Sequence, residues 1–186
     1  MNLLFRFFTT FLRSLFRKKI GLLQESRLSL RVWPNDFDAY LHLNNGRYLS
    51  MMDLGRLDLV MRNGIGRVMW NRRWFPVVGS SMIRYRRPID ALHRYELVTS
   101  IAGWDEKWVY IAQRFEENGE LMAAAVIQGV FRGSEGTVSP ARLFDEVGEN
   151  LEPVRMPQWI ERWQEADHEM KSDARTGLTD TGEPEG

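Results

Sequence analysis

The chain has 186 residues, among them 25 acidic residues, 25 basic residues and three histidines, and it has no cysteine. The balanced charge excludes a polyelectrolyte that binds nucleic acid through its overall charge, so we expect no nucleic-acid partner. The lack of cysteine excludes a disulfide framework, a thiol nucleophile and a cysteine-type zinc site. We divide the chain into an N-terminal segment (residues 1–24), a body (25–165) and an acidic tail (166–186), because its length fits one domain with extensions.

Residues 1–24 are basic, with arginine or lysine at positions 6, 13, 17, 18 and 19 and no acidic residue. Their large apolar residues recur at steps of three and four, which predicts an amphipathic helix. Arg6 and Arg13 interrupt the apolar run well before the roughly 20 residues that a membrane-spanning helix needs. The predicted apolar face consists of Leu4, Phe5, Phe8, Phe11, Leu12, Leu15 and Phe16.

Three interpretations of this helix remain open. A basic amphipathic helix can lie in the interface of an anionic membrane, which would make residues 1–20 the attachment of a cytoplasmic, peripheral membrane protein. An organelle transit peptide has a similar composition. The third interpretation is a helix that packs its apolar face on the same chain or on a dimer mate.

The body opens with an extended run at 29–32 and continues with a helix from Asn45 to Met61. Asn44 or Asn45 is a suitable N-cap, and Asn63 followed by Gly64 is a typical helix end. Gly55 in the middle of the helix predicts that another element packs closely there. The buried stripe of this helix is predicted to contain Tyr48, Met51, Met52, Gly55 and Leu59.

Four extended segments follow, at 75–88, 94–104, 107–116 and 120–132, and short turns separate the last three. Four consecutive strands in a meander predict an antiparallel sheet, which must cover the single long helix. The fold class is therefore α+β. Trp159, Ile160 and Trp163 predict a short helix that docks on the body, and the acidic residues beyond it are predicted to be disordered.

The stretch DFDAYLHLNNGRYL (36–49) places acids, a histidine and two asparagines at the start of the long helix. Asp36 and Asp38 can be turn formers and Asn44 a helix cap, or the stretch can be a catalytic site. A metal site of the Asp-x-Asp-x3-His type has spacing typical of a loop, and no further ligand cluster completes it. We expect neither a metal nor a cofactor.

The order strand, helix, four strands resembles the hotdog fold, in which an antiparallel β-sheet wraps around one long central helix. The run from Asp38 through His42, Asn44 and Asn45 to Tyr48, followed by DLGR at 53–56, resembles the signature of 4-hydroxybenzoyl-CoA-thioesterase-like proteins. RVWPNDFD (31–38), VSPARLF (138–144) and PQWIERW (157–163) are most similar to the thioesterase-superfamily-member-six group. The resemblance covers about residues 27–165. Many active relatives have glycine where this chain has Leu41, and glycine lets the backbone approach a substrate closely.

The resemblance implies hydrolysis of an acyl-CoA or acyl-carrier thioester. Asp38 would then act as base or nucleophile, and His42 would orient Asp38 or polarise the thioester. Asn44 or Asn45 would bond the carbonyl or the water. Amides at the helix start would hold the oxyanion, and those of Asn45, Gly46 and Arg47 are the expected donors.

The resemblance also implies a homodimer or homotetramer with its site between subunits. Asp53 would line this cleft or simply pair with Arg56 or Arg47. Arg84, Arg86 and Arg87 would bind the phosphates of coenzyme A, or they are solvated charges that protect a sheet edge. Strand 107–116 is a candidate for the subunit interface.

Two other functions remain open. A non-catalytic acyl-CoA-binding or lipid-binding hotdog protein would use the same tunnel without turnover, and Leu41 favours it. A membrane-recruited scaffold would use the phenylalanine-rich N-terminal helix as its active element.

Overall fold

The computed structural model describes residues 2–149, 151 and 156–176, with the backbone alone for 174–176. The chain divides into two compact units, residues 1–154 and 155–186. The described residues of the second unit contain one helix, Gln158–Thr176, which extends further than predicted, so that residues 166–176 of the acidic tail are helical. The remaining tail, predicted to be disordered, lies outside the described residues, and the docking of this helix on the body stays a prediction.

The first unit contains a sheet and four helices within its described residues. The helices are α1 (Leu3–Phe16), α2 (Asn45–Arg62), α3 (Ile65–Arg72) and α4 (Pro140–Val147). The strands are β1 (Ser26–Arg31), β2 (Phe75–Tyr85), β3 (Arg94–Trp104), β4 (Val109–Glu117), β5 (Glu120–Gly133) and β6 (Gly136–Val138). Sequence analysis predicted α2 and the five long strands but missed α3, α4 and β6. No helix among the described residues is long and apolar enough to cross a bilayer.

All strand pairs are antiparallel, in the order β1-β3-β4-β5-β2, with β6 beside β5. The predicted meander holds for β3, β4 and β5 but is wrong for β2, which pairs with β5 instead of β3. β4 is paired on both sides, so the candidate interface strand 107–116 has no free edge for pairing with a second subunit. The edge strands of the described sheet are β1 and β2.

The link between β2 and β3 explains the error, because it is a crossing connection and not a hairpin. Its backbone bonds to the loop in front of α2. Leu43 N donates to Ile89 O at 2.8 Å, and Ala91 N donates to Leu41 O at 2.7 Å. The link thus runs past the start of α2, from β2 at one edge of the sheet to β3 near the opposite edge.

Helix α2 packs against the sheet through the predicted stripe, and all five residues of that stripe are buried. A Cβ built on Gly55 would lie 2.5 Å from Thr99 Oγ1, so the expected close approach is confirmed. Gln113 of β4 donates to Met52 O and to Thr99 Oγ1, both at 3.0 Å. This buried amide joins the helix to the centre of the sheet.

Helix α1 packs on α2 through its polar face. Arg6, Thr10 and Ser14, spaced four residues apart, are its buried residues. Of the predicted apolar face, Phe11 is half-buried and the other six residues are exposed, with Phe16 at 89% and Leu4 at 77%. The first unit therefore buries the polar side of an amphipathic helix and presents the apolar side outward.

Two buried aspartates attach α1 to α2. Asp58 of α2 accepts from Arg17 after α1 at 2.9 Å, from Arg62 at 3.0 Å and from Ser26 Oγ. Asp36 is held in the same way by one arginine from each helix. Each carboxylate is completely shielded from solvent, and each has charged donors on two elements. Buried carboxylates need such partners, so these contacts fix the position of α1.

Candidate active site

The loop in front of α2 is a tight turn made of the sequence motif. Asp38 N donates to His42 O at 3.1 Å, and Leu41 N donates to Asp38 O at 3.0 Å. Leu41 closes the turn with φ 58°, in the left-handed region that favours glycine. The leucine at this position thus adopts the backbone conformation for which a glycine is suited, and its side chain is exposed.

A pocket of about 250 Å³ at the start of α2 brings several predicted site residues together. Asp38, His42 and Asn45 line it, together with Arg86 and Arg87. Asn44 and Gly46 are adjacent in the chain but do not line the pocket. Arg84, two residues before Arg86, does not line it either.

The carboxylate of Asp38 has one oxygen engaged and one available. Oδ1 accepts from Tyr40 N at 2.9 Å, which is the turn-forming role that the sequence also allowed. No donor in the described part of the chain bonds Oδ2. The side chain lies at the pocket wall and is partly exposed. One residue can therefore shape the turn and still present a carboxylate oxygen to a ligand.

His42 has a partner that sequence reasoning missed. Its Nε2 lies 3.3 Å from Asp90 Oδ1, and the two residues also form an isolated antiparallel bridge. Asp90 belongs to the β2–β3 link, and nothing in its local sequence marks it as a site residue. The imidazole is oriented toward Asp90, so the predicted contact between His42 and Asp38 is a backbone contact here.

The first turn of α2 has one amide available for an anion. Asn44 is the N-cap, and its Oδ1 accepts from Gly46 N at 2.9 Å. Asn44 O accepts from Arg47 N at 2.8 Å. Among the described residues nothing accepts from Asn45 N, which lies at the positive end of the helix dipole. Of the three predicted donors, Asn45 has the free N–H.

Tyr48 forms the floor of the pocket. Its ring is buried, packs edge-on against Tyr85 at 5.1 Å and lies 4.7 Å from Phe115. Burial, with smaller contributions from Tyr85 and Glu117, raises the pKa of the Tyr48 hydroxyl to about 12. The hydroxyl is therefore neutral at physiological pH, and the predicted core role of this residue is confirmed.

Asp36 supports the site from beneath. Its Oδ2 pairs with Arg6 and accepts from Trp33 N at 2.8 Å, and its Oδ1 accepts from Arg47 Nε and Nη2 at 3.2 and 3.0 Å. Its backbone oxygen accepts from Asn44 N at 2.8 Å. This residue thereby connects α1, the motif loop and the first turn of α2.

Asp53 lies two turns further along α2, away from the pocket. It forms an ion pair with Arg56, whose Nη1 donates to Gln113 Oε1 at 2.9 Å. Burial lowers the pKa of Arg56, and Asp53 partly offsets that effect. Both residues also line a second cavity. Asp53 therefore pairs with Arg56, as one interpretation predicted, and also lies at a cavity wall.

The second cavity is apolar and has a volume of about 440 Å³. It runs along α2 from Ser50 to Val60, faces β2, β4 and β5, and includes Leu3 and Phe7 of α1 in its wall. The helix rises 1.5 Å per residue, so the centre of this cavity lies about 12–15 Å from the first turn.

The arginines after β2 are held by backbone and side-chain contacts. The amides of Arg86 and Arg87 donate to Met122 O at 2.9 and 3.0 Å, and Arg87 pairs with Glu120. Arg84 lies exposed on the edge strand β2. Two of the three predicted phosphate-binding arginines therefore lie at the pocket and one does not.

An antiparallel sheet that curls around one long helix is the hotdog fold, and solved structures of this fold superpose on the chain. The probable thioesterase YbaW of Escherichia coli superposes with a TM-score of 0.61 at 21% identity, over 68% of this chain and 98% of that one. A hypothetical protein of Staphylococcus aureus in complex with CoA superposes with a TM-score of 0.57 at 12% identity, over 77% and 96%.

The chain belongs to the thioesterase-like superfamily, whose family model matches residues 32–164. Protein THEM6 of Danio rerio is 37% identical over 127 residues, covering 66% of this chain and 63% of that protein. Protein THEM6 of Drosophila melanogaster is 33% identical over 109 residues, covering 58% of this chain. The chain spans 56% of the length of the Drosophila protein. The predicted group is confirmed by these relatives.

Proposed function

We propose that this protein hydrolyses acyl-CoA thioesters at the pocket at the start of α2. The observation that carries the proposal is the convergence of Asp38, His42 and Asn45 on one pocket that Arg86 and Arg87 also line. Membership in a thioesterase-like superfamily supports the reaction class. The Staphylococcus aureus neighbour in complex with CoA supports the carrier.

In the proposed mechanism Asp38 Oδ2 accepts a proton from water, and the resulting hydroxide attacks the thioester carbonyl carbon. The carbonyl oxygen then carries negative charge and accepts from Asn45 N–H, with the helix dipole in support. The carbon–sulfur bond breaks as the carbonyl re-forms, and the leaving thiolate takes from Asp38 the proton that the water gave up, which regenerates the carboxylate. His42, which contacts Asp90 and lines the same pocket, is the proposed group that polarises the thioester or the water.

The apolar cavity along α2 is the proposed site of the acyl group. It lies alongside α2, the helix whose first turn would hold the oxyanion. Nearly all of its lining residues are aliphatic or aromatic. Its centre lies about 12–15 Å from the first turn of α2, so the proposal requires an acyl chain of at least medium length. Arg86 and Arg87 at the pocket rim are the proposed contacts for the CoA phosphates, since guanidinium groups bind phosphate in a bidentate manner.

Asp38→Asn in the full chain is the direct test, with free-thiol release measured for a panel of short, long and aromatic acyl-CoAs. An asparagine keeps the oxygen that accepts from Tyr40 N–H, so the turn should be retained while the base is lost. We expect turnover to fall roughly 10²-fold or more. Glu106→Gln, which removes an exposed carboxylate elsewhere, is the matched control. Equal turnover in the wild type and Asp38→Asn would disprove the role of Asp38.

The alternative is an acyl-CoA-binding protein without turnover. The left-handed Leu41 and the turn contact of Asp38 favour it, because both can serve the loop conformation alone. Saturable acyl-CoA binding with no thiol release from any member of the panel would establish this alternative. Thiol release that depends on Asp38 would exclude it.

We also propose that the protein forms a homodimer through β2 and lies on a membrane through α1. The outer edge of β2 is unpaired among the described strands, and it exposes Phe75 and Val78 by 55% and 51%. The exposed phenylalanines and leucines of α1 point away from the first unit, as an interfacial helix requires. A scaffold role of α1 without catalysis is tested by replacing the exposed Phe8 and Phe16 with serine, which leaves the buried ion pairs of α1 in place, and measuring membrane recruitment and thiol release separately.

A further inference from the structure

A basic groove of about 420 Å³ lies between α1 and β1, apart from both cavities described above. Four of its lining residues are arginine, namely Arg6, Arg13, Arg31 and Arg94, and none is acidic. Its other polar and aromatic lining residues are Thr9, Thr10, Ser29 and Trp33. The groove thus concentrates positive charge in a protein whose formal net charge is zero.

The arrangement of two of these arginines is unfavourable without an anion. Arg31 of β1 and Arg94 of β3 are directly opposite each other in the antiparallel register. Like charges in this position destabilise a strand pair. Among the described residues, no carboxylate pairs with Arg13, Arg31 or Arg94.

Arg27, four residues before Arg31 on the same edge strand β1, is an arginine whose charge is balanced by neighbouring carboxylates. It lies 3.3 Å from Glu25, 3.0 Å from Glu96 and 3.2 Å from Glu116, so its charge is neutralised. These ion pairs raise the pKa of Arg27, with the hydrogen bond that Arg27 donates to Glu96 as the largest cause. The arginine at one end of β1 is therefore paired with three acidic residues, whereas the arginines at the other end have no acidic partner among the described residues.

The floor of the groove adds to the positive charge. Arg6 is 2% exposed there and pairs with Asp36, which also pairs with Arg47. Two guanidinium groups face one carboxylate, so this buried cluster keeps a net positive charge. Arg31 lies over the ring of Trp33, 5.8 Å from its centroid, which restrains its side chain at the wall.

We propose that this groove binds a phosphate ester, with Arg13, Arg31 and Arg94 as its charged contacts. Guanidinium groups suit phosphate because their planar N–H pairs match its oxygens. The groove lies on the helix that exposes Phe8 and Leu12 next to Thr9 and Arg13. The phosphate can come from an acidic lipid headgroup or from a soluble phosphate ester, and binding does not depend on the proposed hydrolysis.

The test uses the full chain, the variant Arg31→Gln/Arg94→Gln and the control Arg132→Gln, which removes an exposed arginine of β5 outside the groove. Thermal unfolding is followed with and without glycerol 3-phosphate. Co-sedimentation is measured with phosphatidylcholine vesicles, with and without phosphatidic acid. In the absence of glycerol 3-phosphate, the double variant (the paired variant) should unfold at a higher temperature than the wild type, because the repulsion between the two opposed arginines is removed. Addition of glycerol 3-phosphate should raise the unfolding temperature of the wild type but not that of the paired variant.

For wild type we expect phosphatidic acid to increase sedimentation, and we expect the paired variant to lose affinity by roughly tenfold or more. Stabilisation by glycerol 3-phosphate alone identifies a soluble ligand, and dependence on phosphatidic acid alone identifies a lipid headgroup. If the paired variant and Arg132→Gln respond alike in both assays, the attraction is only the general charge of the surface and the site does not exist.

Discussion

Arg6 of the N-terminal helix and Asp36 of the motif loop form a buried ion pair, although 30 residues separate them in the sequence. Asp38 lies two residues beyond Asp36, and Asn44, which caps α2, donates its amide to Asp36 O. The N-terminal helix therefore contacts the loop that carries the proposed catalytic residue. A helix that exposes an apolar face to its surroundings is in this way attached directly to the candidate active site.

Arg6→Ala should destabilise the protein, because it leaves the buried carboxylate of Asp36 with one cationic partner and opens a gap beside Met51. Breaking a buried ion pair costs about 3–5 kcal/mol, and the remaining Arg47 should keep the loss near the lower value. The free energy of unfolding from a urea titration measures it. Arg13→Ala, at an exposed position of the same helix, should change it by less than about 0.5 kcal/mol. Equal effects of the two substitutions would contradict this account.

Leu41→Gly and Leu41→Val should have opposite consequences. Glycine accepts the left-handed φ of 58° without strain, whereas a β-branched side chain strongly disfavours it. We expect Leu41→Gly to keep the fold and at least wild-type thiol release, and Leu41→Val to lose about 1 kcal/mol or more of stability. Thermal unfolding and thiol release are measured on both variants. A loss of turnover in Leu41→Gly would show that the leucine side chain itself is needed.

Gly55→Ala should destabilise the protein although alanine is the better helix former. The new methyl group would lie 2.5 Å from Thr99 Oγ1 and 2.7 Å from Leu97 Cδ2. Overpacking costs about 1–3 kcal/mol, which exceeds the gain of about 1 kcal/mol in helix propensity. In the control Gly21→Ala, the nearest atom is 3.7 Å away. If chemical denaturation finds Gly55→Ala as stable as wild type, the helix and sheet are further apart than described.

The raised pKa of Tyr48 predicts an alkaline limit of stability. Its pKa of about 12 in the folded protein lies above the value near 10 in the unfolded chain, so the folded state holds the proton more tightly. The resulting contribution to the free energy of unfolding is fully present below about pH 10. It is lost as the pH rises from about 10 to 12, and the total loss is roughly 3 kcal/mol. Unfolding measured across this range should be less pH-dependent in Tyr48→Phe. Tyr40→Phe, at an exposed tyrosine, should follow the wild type.

Val78→Lys tests the proposed dimer. A lysine on an exposed edge strand blocks edge-to-edge pairing, because its charge would be buried against the partner strand. We expect the wild type to have the mass of a dimer in light scattering and the variant to shift toward a monomer. The exposed residue Trp70 lies on α3, outside β2, and Trp70→Lys is the control. A monomeric wild type would rule out this interface.

Local patterns determined much of the fold. The apolar spacing and the Asn44 and Asn63–Gly64 boundaries predicted α2 to within one residue, and Gly55 indicated its close approach to the sheet. The turns at 105–106 and 118–119 predicted the β3–β4–β5 meander. The motif at 36–49 identified the family and the pocket residues Asp38, His42 and Asn45. These features were accessible because caps, turns and periodicity depend on residues close in sequence.

The tertiary structure alone decided the contacts between distant segments. Periodicity showed that α1 has two faces but not that the polar face would be buried. That face is buried because Arg6 and Arg17 form ion pairs with the buried Asp36 and Asp58. Nor could local pattern place β2 beside β5 or bring Asp90 to His42, since each requires the crossing link after β2 to pass the start of α2. A local pattern specifies which residues share a face, and only the folded chain specifies what that face meets.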